Sequence, residues 1–138
     1  MTKYIPLDSK DFNPFCDMID LRFTKIRKGF SQCLVEVSKK LNNPHKVVHG
    51  GVMYTMADTG MGGALYSCLE KDELCATVEV KINYFKAVRT GTLICETKVI
   101  NKGKSIAVME SEITNEGILV AKAIGTYSIF KVKVKTDI

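Results

Sequence analysis

No stretch of this sequence approaches the ~18 consecutive apolar residues that a bilayer-spanning helix needs, so a membrane partner is not expected. Met1 to Phe15 are polar and hold no apolar core of the kind a secretory signal carries. Cysteine pairs at metal or redox spacing are missing as well. Cys16, Cys33, Cys68, Cys75 and Cys95 are odd in number, widely spaced and contain no CxxC, which argues against a disulfide framework and a zinc ribbon. Unpaired thiols without a signal point to a reducing cytoplasm. Basic clusters are absent too. The net charge of +5 is scattered, and no aromatic-basic platform for single strands appears, so nucleic acid is not an expected partner. The alternating Lys131, Lys133 and Lys135 read as a solvated edge strand or tail whose lysines block edge pairing. Low-complexity segments and solenoid repeats are likewise missing.

What is present is one domain's worth of chain. The 138 residues, 46% of them hydrophobic, suit a single domain spanning 1–138. A chain of this size buries about two-thirds of its unfolded surface without staples. One small domain has little room for both a deep cleft and a complete catalytic shell.

Residues 1–20 read as irregular, with at most one helical turn that Ser9 could cap and that Pro14 would interrupt. Leu21 to Ile26 and Phe30 to Val37 are extended, with Gly29 placed for a hairpin turn between them. Asn42-Asn43-Pro44 marks a loop. From about Gly51 to about Glu70 the apolar residues fall at helical spacing, which predicts one long buried helix. Gly60, Gly62 and Gly63 inside it cost roughly 1 kcal/mol each relative to alanine, tolerable where a sheet must come very close. Four extended segments follow: Thr77 to Phe85, Thr92 to Ile100, Ser105 to Ile113 and Ile118 to Phe130. Short glycine-bearing connections at Gly91, Gly103 and Gly117 make an antiparallel meander. The expected architecture is α+β, an antiparallel five- to six-stranded sheet wrapped around one central helix.

The most informative stretch runs from Asn43 to Gly60. His49-Gly50-Gly51 sits at the entry to the buried helix, where unpaired N–H groups and the positive dipole end suit an oxyanion. Asp58 is an ionisable group inside an otherwise apolar helix, and buried carboxylates are uncommon without a partner or a task. It could also be a structural carboxylate, paired with Thr59 or a lysine.

Asn43 six residues before His49-Gly50-Gly51, Asp58-Thr59 nine and ten residues after His49, and the strand Thr77 to Ala87 followed by Gly91 together resemble the hotdog-fold acyl-CoA thioesterases. More narrowly they resemble the phenylacetic-acid-degradation type, over about residues 18–130. The resemblance implies a hotdog fold and hydrolysis of an acyl-CoA thioester without metal or other cofactor. By position it makes Asp58 the general base or nucleophile, and the Gly50 or Gly51 amide the group that polarises the thioester carbonyl. Asn43 would orient the water or the carboxylate, His49 would hold the loop, and Thr77 would help position the water. The segment between Asn43 and His49 departs from the family by lacking its usual glycine. Lys86, Arg89, Lys102 and Lys104 in turns are either solvated or meet the phosphates of the coenzyme.

Helix geometry adds a constraint. At 1.5 Å rise per residue, Asp58 lies on the order of 10–12 Å along the helix from the Gly50 amide, yet both should be ~3 Å from one reacting centre. One chain cannot place both there. A two-fold homodimer with antiparallel helices can, and the family also forms homotetramers. The alternatives are a non-catalytic acyl-CoA-binding hotdog module and, third, a hotdog dehydratase, which the two glycines after His49 count against.

Overall fold

The computed structural model describes Leu7 and residues 11–133. A short helix α1 (Pro14–Met18) leads into strands β1 (Arg22–Arg27) and β2 (Phe30–Glu36). After a 3-10 turn at Lys39–Leu41 comes the long helix α2 (Gly50–Tyr66). Strands β3 (Glu73–Tyr84), β4 (Thr92–Lys102), β5 (Ile106–Asn115) and β6 (Ile118–Lys131) complete the chain. The six strands form one antiparallel sheet in the order β1-β2-β4-β5-β6-β3, and α2 packs on its inner face. This is the expected α+β hotdog architecture, with six strands.

The core lies between α2 and the sheet. Cys33 and Val35 of β2, Leu93 and Cys95 of β4, and Ala107, Met109 and Ile113 of β5 are completely buried, alternating with outward residues as a one-sided sheet requires. Met56, Ala57, Met61, Ala64 and Leu65 of α2 are buried against them. The sheet also reaches the helix backbone through small polar groups. Ser31 Oγ donates to the Gly60 carbonyl at 2.6 Å, Ser111 Oγ to the Ala57 carbonyl at 3.3 Å, and the Cys33 and Cys95 thiols point at the Met56 carbonyl. Thr97, also buried, is 2.7 Å from Ser111 Oγ. These hydroxyls are satisfied only because the helix comes close, and Gly60 is where it comes closest. A Cβ there would sit 2.6 Å from Thr97 Oγ1.

Several expectations need correction. α2 ends at Tyr66, not near Glu70: beyond it the backbone winds on in tighter i→i−3 turns, Cys68 N–H to the Leu65 carbonyl and Leu69 N–H to the Tyr66 carbonyl, and the C-cap is Ser67. Its hydroxyl donates to the Ala64 carbonyl and accepts the Gly29 N–H at 2.9 Å, which ties the helix end to the first hairpin and leaves Leu69 fully buried. Pro14 does not interrupt a helix but begins one. It stands in the first turn, where its missing N–H costs nothing, and the cap is the Asn13 side chain, which accepts the Cys16 N–H. Ser9 lies outside the described residues. β3 starts at Glu73, four residues before Thr77, because the long β6 pairs with it as far as Lys131. Lys131 is solvated as expected but lies in β6, paired with Glu73, and not on an edge strand, since among the described residues the edges of the sheet are β1 and β3; Lys135 lies outside the described residues.

Turn chemistry follows the sequence. In the β5–β6 hairpin, Glu116 and Gly117 have φ of 51° and 81°, the mirror-image turn whose twist matches antiparallel strands. Gly29 turns β1 into β2 at φ 75°.

The seating of α2 yields a stability test. Gly60→Ala gains roughly 1 kcal/mol of helix propensity but must displace a buried, hydrogen-bonded threonine, an overpacking cost of about 1–3 kcal/mol. A net loss of about 1 kcal/mol or more in urea unfolding is expected, with Gly60→Ala/Thr97→Ser, which keeps the hydroxyl, no better than Gly60→Ala. A Gly60→Ala chain as stable as wild type would refute the close approach.

Candidate active site

The two ends of the first half of α2 carry different chemistry. At its start, His49 is the N-cap, and its Nδ1 accepts the Gly51 N–H at 2.8 Å. That bond places the ring proton on Nε2. Gly51 is thereby occupied. Among the described residues no group accepts the Gly50 N–H, while the Gly50 carbonyl accepts the Tyr84 hydroxyl at 2.8 Å. The Tyr84 ring lies so close over Gly50 that a Cβ there would be 3.1 Å from it. A shallow depression of about 260 Å³, lined by Val48, Gly50, Met53, Tyr84, Phe85 and Lys86 among others, opens at this point.

Asn43 sits in the loop before this helix start. Its Oδ1 accepts the His45 N–H at 2.8 Å and its own N–H donates to the Val47 carbonyl, so it closes a tight turn. Lys46 within that turn has φ 64°, a left-handed conformation in the segment where the resemblance leads one to expect a glycine. Asn43 makes no bond to Asp58 within this chain.

Two turns further along α2 stands Asp58, half-buried and facing a cavity of about 860 Å³. Its Oδ1 accepts from the Thr77 hydroxyl at 2.8 Å and from the Tyr127 hydroxyl in a very short bond. Tyr127 also lies 2.5 Å from the Asp58 backbone carbonyl. Asp58 and Thr77 are thus brought together, while Asn43, His49, Gly50 and Gly51 stand at the other end of this stretch of helix. Sequence alternation alone sets Thr77 on the face opposite Val80 and Ile82. A bulge between Thr77 and Glu79 inserts Val78 as an extra, exposed residue, which shifts the phase and turns Thr77 inward.

Tyr127 was not anticipated. It pairs directly with Thr77 across β3 and β6, so both point to the same face of the sheet. The only sequence signal was a tyrosine at an inward position of β6, indistinguishable there from core. Burial, and then the bond to Asp58, push the Tyr127 phenol far up from its ordinary value, so it stays a donor. Next to Asp58, Thr59 Oγ1 lies 3.4 Å from the buried Cys16 thiol, which burial also pushes up. A thiol in that state is a poor nucleophile. Among the described residues no group of three His, Cys, Asp or Glu side chains is arranged to hold a metal ion, and no helix is long and apolar enough to cross a membrane.

The arrangement offers a carboxylate anchored through one oxygen by two hydroxyls, beside a cavity, and a separate unpaired amide at a helix start. The family model described as the thioesterase superfamily matches residues 45–122. The chain is 31% identical over 116 residues to a protein of Saccharolobus solfataricus provisionally named as an esterase, covering 83% of this chain and 77% of the relative. It is 27% identical over 100 residues to the 1,4-dihydroxy-2-naphthoyl-CoA hydrolase of Listeria monocytogenes, covering 72% and 81%. A solved structure of a conserved protein from Pseudomonas aeruginosa superposes with a TM-score of 0.83 at 29% identity, covering 86% of this chain and 95% of that one.

The Tyr127 phenol makes stability depend on pH. Below pH 10, its ordinary value, it is protonated in the folded and unfolded chain alike. Above that, the unfolded chain ionises while the folded chain keeps the proton, so this group removes about 1.4 kcal/mol of stability per pH unit. The stability advantage of wild type over Tyr127→Phe in urea is expected to shrink above about pH 10 and to be flat below it. An advantage that holds constant to about pH 11 would contradict the burial and bonding of this phenol.

Proposed function

This chain belongs to the thioesterase superfamily, and from that premise we propose that it hydrolyses an acyl-CoA thioester to the free acid and CoA, with Asp58 as general base or nucleophile. The observation that carries the reading is the Asp58 carboxylate held by Thr77 and Tyr127 at a cavity of about 860 Å³. Two hydroxyls on one carboxylate oxygen leave the other for water or substrate. As base, Asp58 takes a proton from water as the water oxygen bonds to the thioester carbon. The tetrahedral intermediate then collapses, the C–S bond breaks, and the sulfur leaves with the proton returned by Asp58. As nucleophile, the carboxylate itself attacks and expels the CoA thiolate, and water cleaves the resulting anhydride. Either route needs a donor for the developing oxyanion, and in this reading the Gly50 N–H is that donor. His49 holds the helix entry by capping Gly51, Asn43 shapes the loop beneath it and orients the water or carboxylate, and Thr77 positions Asp58 and its water. Neither a metal nor another cofactor takes part.

Eight residues of helix separate Gly50 from Asp58, about 12 Å. The amide of one subunit therefore serves the carboxylate of another in a homodimer with antiparallel α2 helices, and two such dimers make a tetramer. Supporting this, β3 is a twelve-residue strand that among the described residues pairs with β6 alone, a ready surface for a second copy. The five unpaired thiols fit a reducing cytoplasm.

Asp58→Asn is expected to lower acyl-CoA turnover, followed by thiol release, by about 10²–10⁴. Tight binding of acyl-CoA with no CoA release from wild type would instead favour a binding module. Gly50→Pro removes the amide hydrogen, and because a Cβ at residue 50 would press on the Tyr84 ring at 3.1 Å it is compared with Gly50→Ala, which adds the Cβ and keeps the N–H. Proline is accepted at the first helical position, and His49 already holds φ −60° and ψ 133°, suited to a residue before proline. Asp58→Asn and Gly50→Pro alone are each expected to be strongly impaired, while mixed dimers of the two regain activity at the one site that keeps both groups. No recovery in confirmed mixed dimers would refute the shared site. Single-turnover hydrolysis in oxygen-18 water separates base from nucleophile: label entering the Asp58 carboxyl indicates the anhydride.

A further inference from the structure

We propose that the cavity beside Asp58 receives the acyl group, that it selects a bulky acyl group bearing no negative charge, and that Gly62 is the residue that sets its size limit. This rests on the thioester-hydrolase reading. Asp58, Gly62 and Tyr66 stand at i, i+4 and i+8 of α2, so they lie in line on one helix face, and all three line the cavity. Residue 62 is about 6 Å further along the helix than the carboxylate, where the body of an acyl group lies if its carbonyl is at Asp58.

Gly62 has no structural explanation of the kind Gly60 has. At Gly60 a Cβ would meet Thr97 Oγ1 at 2.6 Å, whereas at Gly62 the nearest atom would be the Tyr127 hydroxyl at 3.9 Å, an ordinary contact. Alanine would fit at 62 and would raise helix propensity by roughly 1 kcal/mol. The missing side chain is cavity space next to the reacting group.

The walls describe the ligand. Leu21, Phe23, Tyr66 and Ala76 present largely apolar surface. The charged lining consists of Asp11, Asp17, Asp20 and Asp58 against Arg22, four carboxylates to one guanidinium among the described residues. Asp20 is further engaged by Lys40 at 2.7 Å, the Asp17 carboxylate accepts the Asp11 backbone N–H at 3.0 Å, and among the described residues neither Asp11 nor Asp17 forms an ion pair. An acyl chain ending in a carboxylate would bring a further negative charge among these groups, in a partly desolvated space where like charges repel more strongly than in water. A cavity of about 860 Å³ is far larger than an acetyl group requires.

The test compares octanoyl-CoA, acetyl-CoA and suberoyl-CoA, the last being the octanoyl chain with a terminal carboxylate. Wild type is expected to show a kcat/KM for octanoyl-CoA at least about tenfold above that for suberoyl-CoA. Gly62→Val is expected to lower the octanoyl-to-acetyl ratio of kcat/KM by about tenfold or more, and Gly62→Ala by about threefold or more while raising the melting temperature. Smaller changes in these ratios overturn the proposal, and Gly62→Ala decides it if Gly62→Val does not fold. If wild type releases CoA from none of the three, the hydrolase reading fails separately. The size limit is then read from calorimetric binding of the non-hydrolysable thioethers S-octyl-CoA and S-ethyl-CoA. Their affinity ratio must fall in Gly62→Ala, and an unchanged ratio overturns the role of Gly62.

Discussion

The seating of α2 against the inner face of the sheet is the contact on which the rest of the molecule depends. Helix and sheet approach closely enough for Ser31 and Ser111 to bond helix carbonyls directly, and Gly60 admits Thr97 at the tightest point. Apolar burial drives the two layers together, but it is non-directional and does not by itself choose a rotation or depth for the helix. The hydroxyls do, because a buried hydroxyl left without a partner is costly. Once α2 is held in that rotation, Met56, Ala57 and Met61 face the core and Asp58 faces the margin of the sheet.

Asp58 is then placed against two strands that are far apart in sequence and adjacent in space. Thr77 comes from β3 and Tyr127 from β6, and their cross-strand pairing brings both hydroxyls to one carboxylate oxygen. The phenol keeps its proton because of burial and of this bond, so it acts as a fixed donor and not as a second acid. A carboxylate anchored in this way has one defined orientation, a condition for acting on a bound substrate instead of on solvent. The cavity, the apolar wall and the acidic rim all lie on the far side of that anchored group.

The length of α2 imposes a division of labour. A helix start and a side chain two turns along it cannot meet at one atom, whatever the side chains are, since the rise per residue is set by the backbone hydrogen bonds. The Gly50 amide and the Asp58 carboxylate of one chain are therefore held about 12 Å apart along α2. Joining the two groups at one centre is the task of the homodimer proposed above, and among the described residues β3 leaves one edge unpaired.

Much of this was legible in the residues. The order and type of the elements, the glycine turns, the single long helix and the chemical character of its entry and of Asp58 all follow from local patterns of 3.6 and 2 residues and from turn chemistry. Boundaries were less so, as Ser67, Pro14 and the start of β3 show, because an element's end depends on which distant group satisfies its last backbone bonds. The sequence by itself determined that a carboxylate sits eight residues into a helix whose first amides are glycine. Only the tertiary structure decided that β3 lies beside β6 at the far edge, that a bulge at Val78 turns Thr77 inward, and that Tyr127 completes the grip on Asp58. The reason is physical: alternation reports the two faces of a strand, but strand pairing is non-local, and one extra residue in a bulge reverses the face of everything after it.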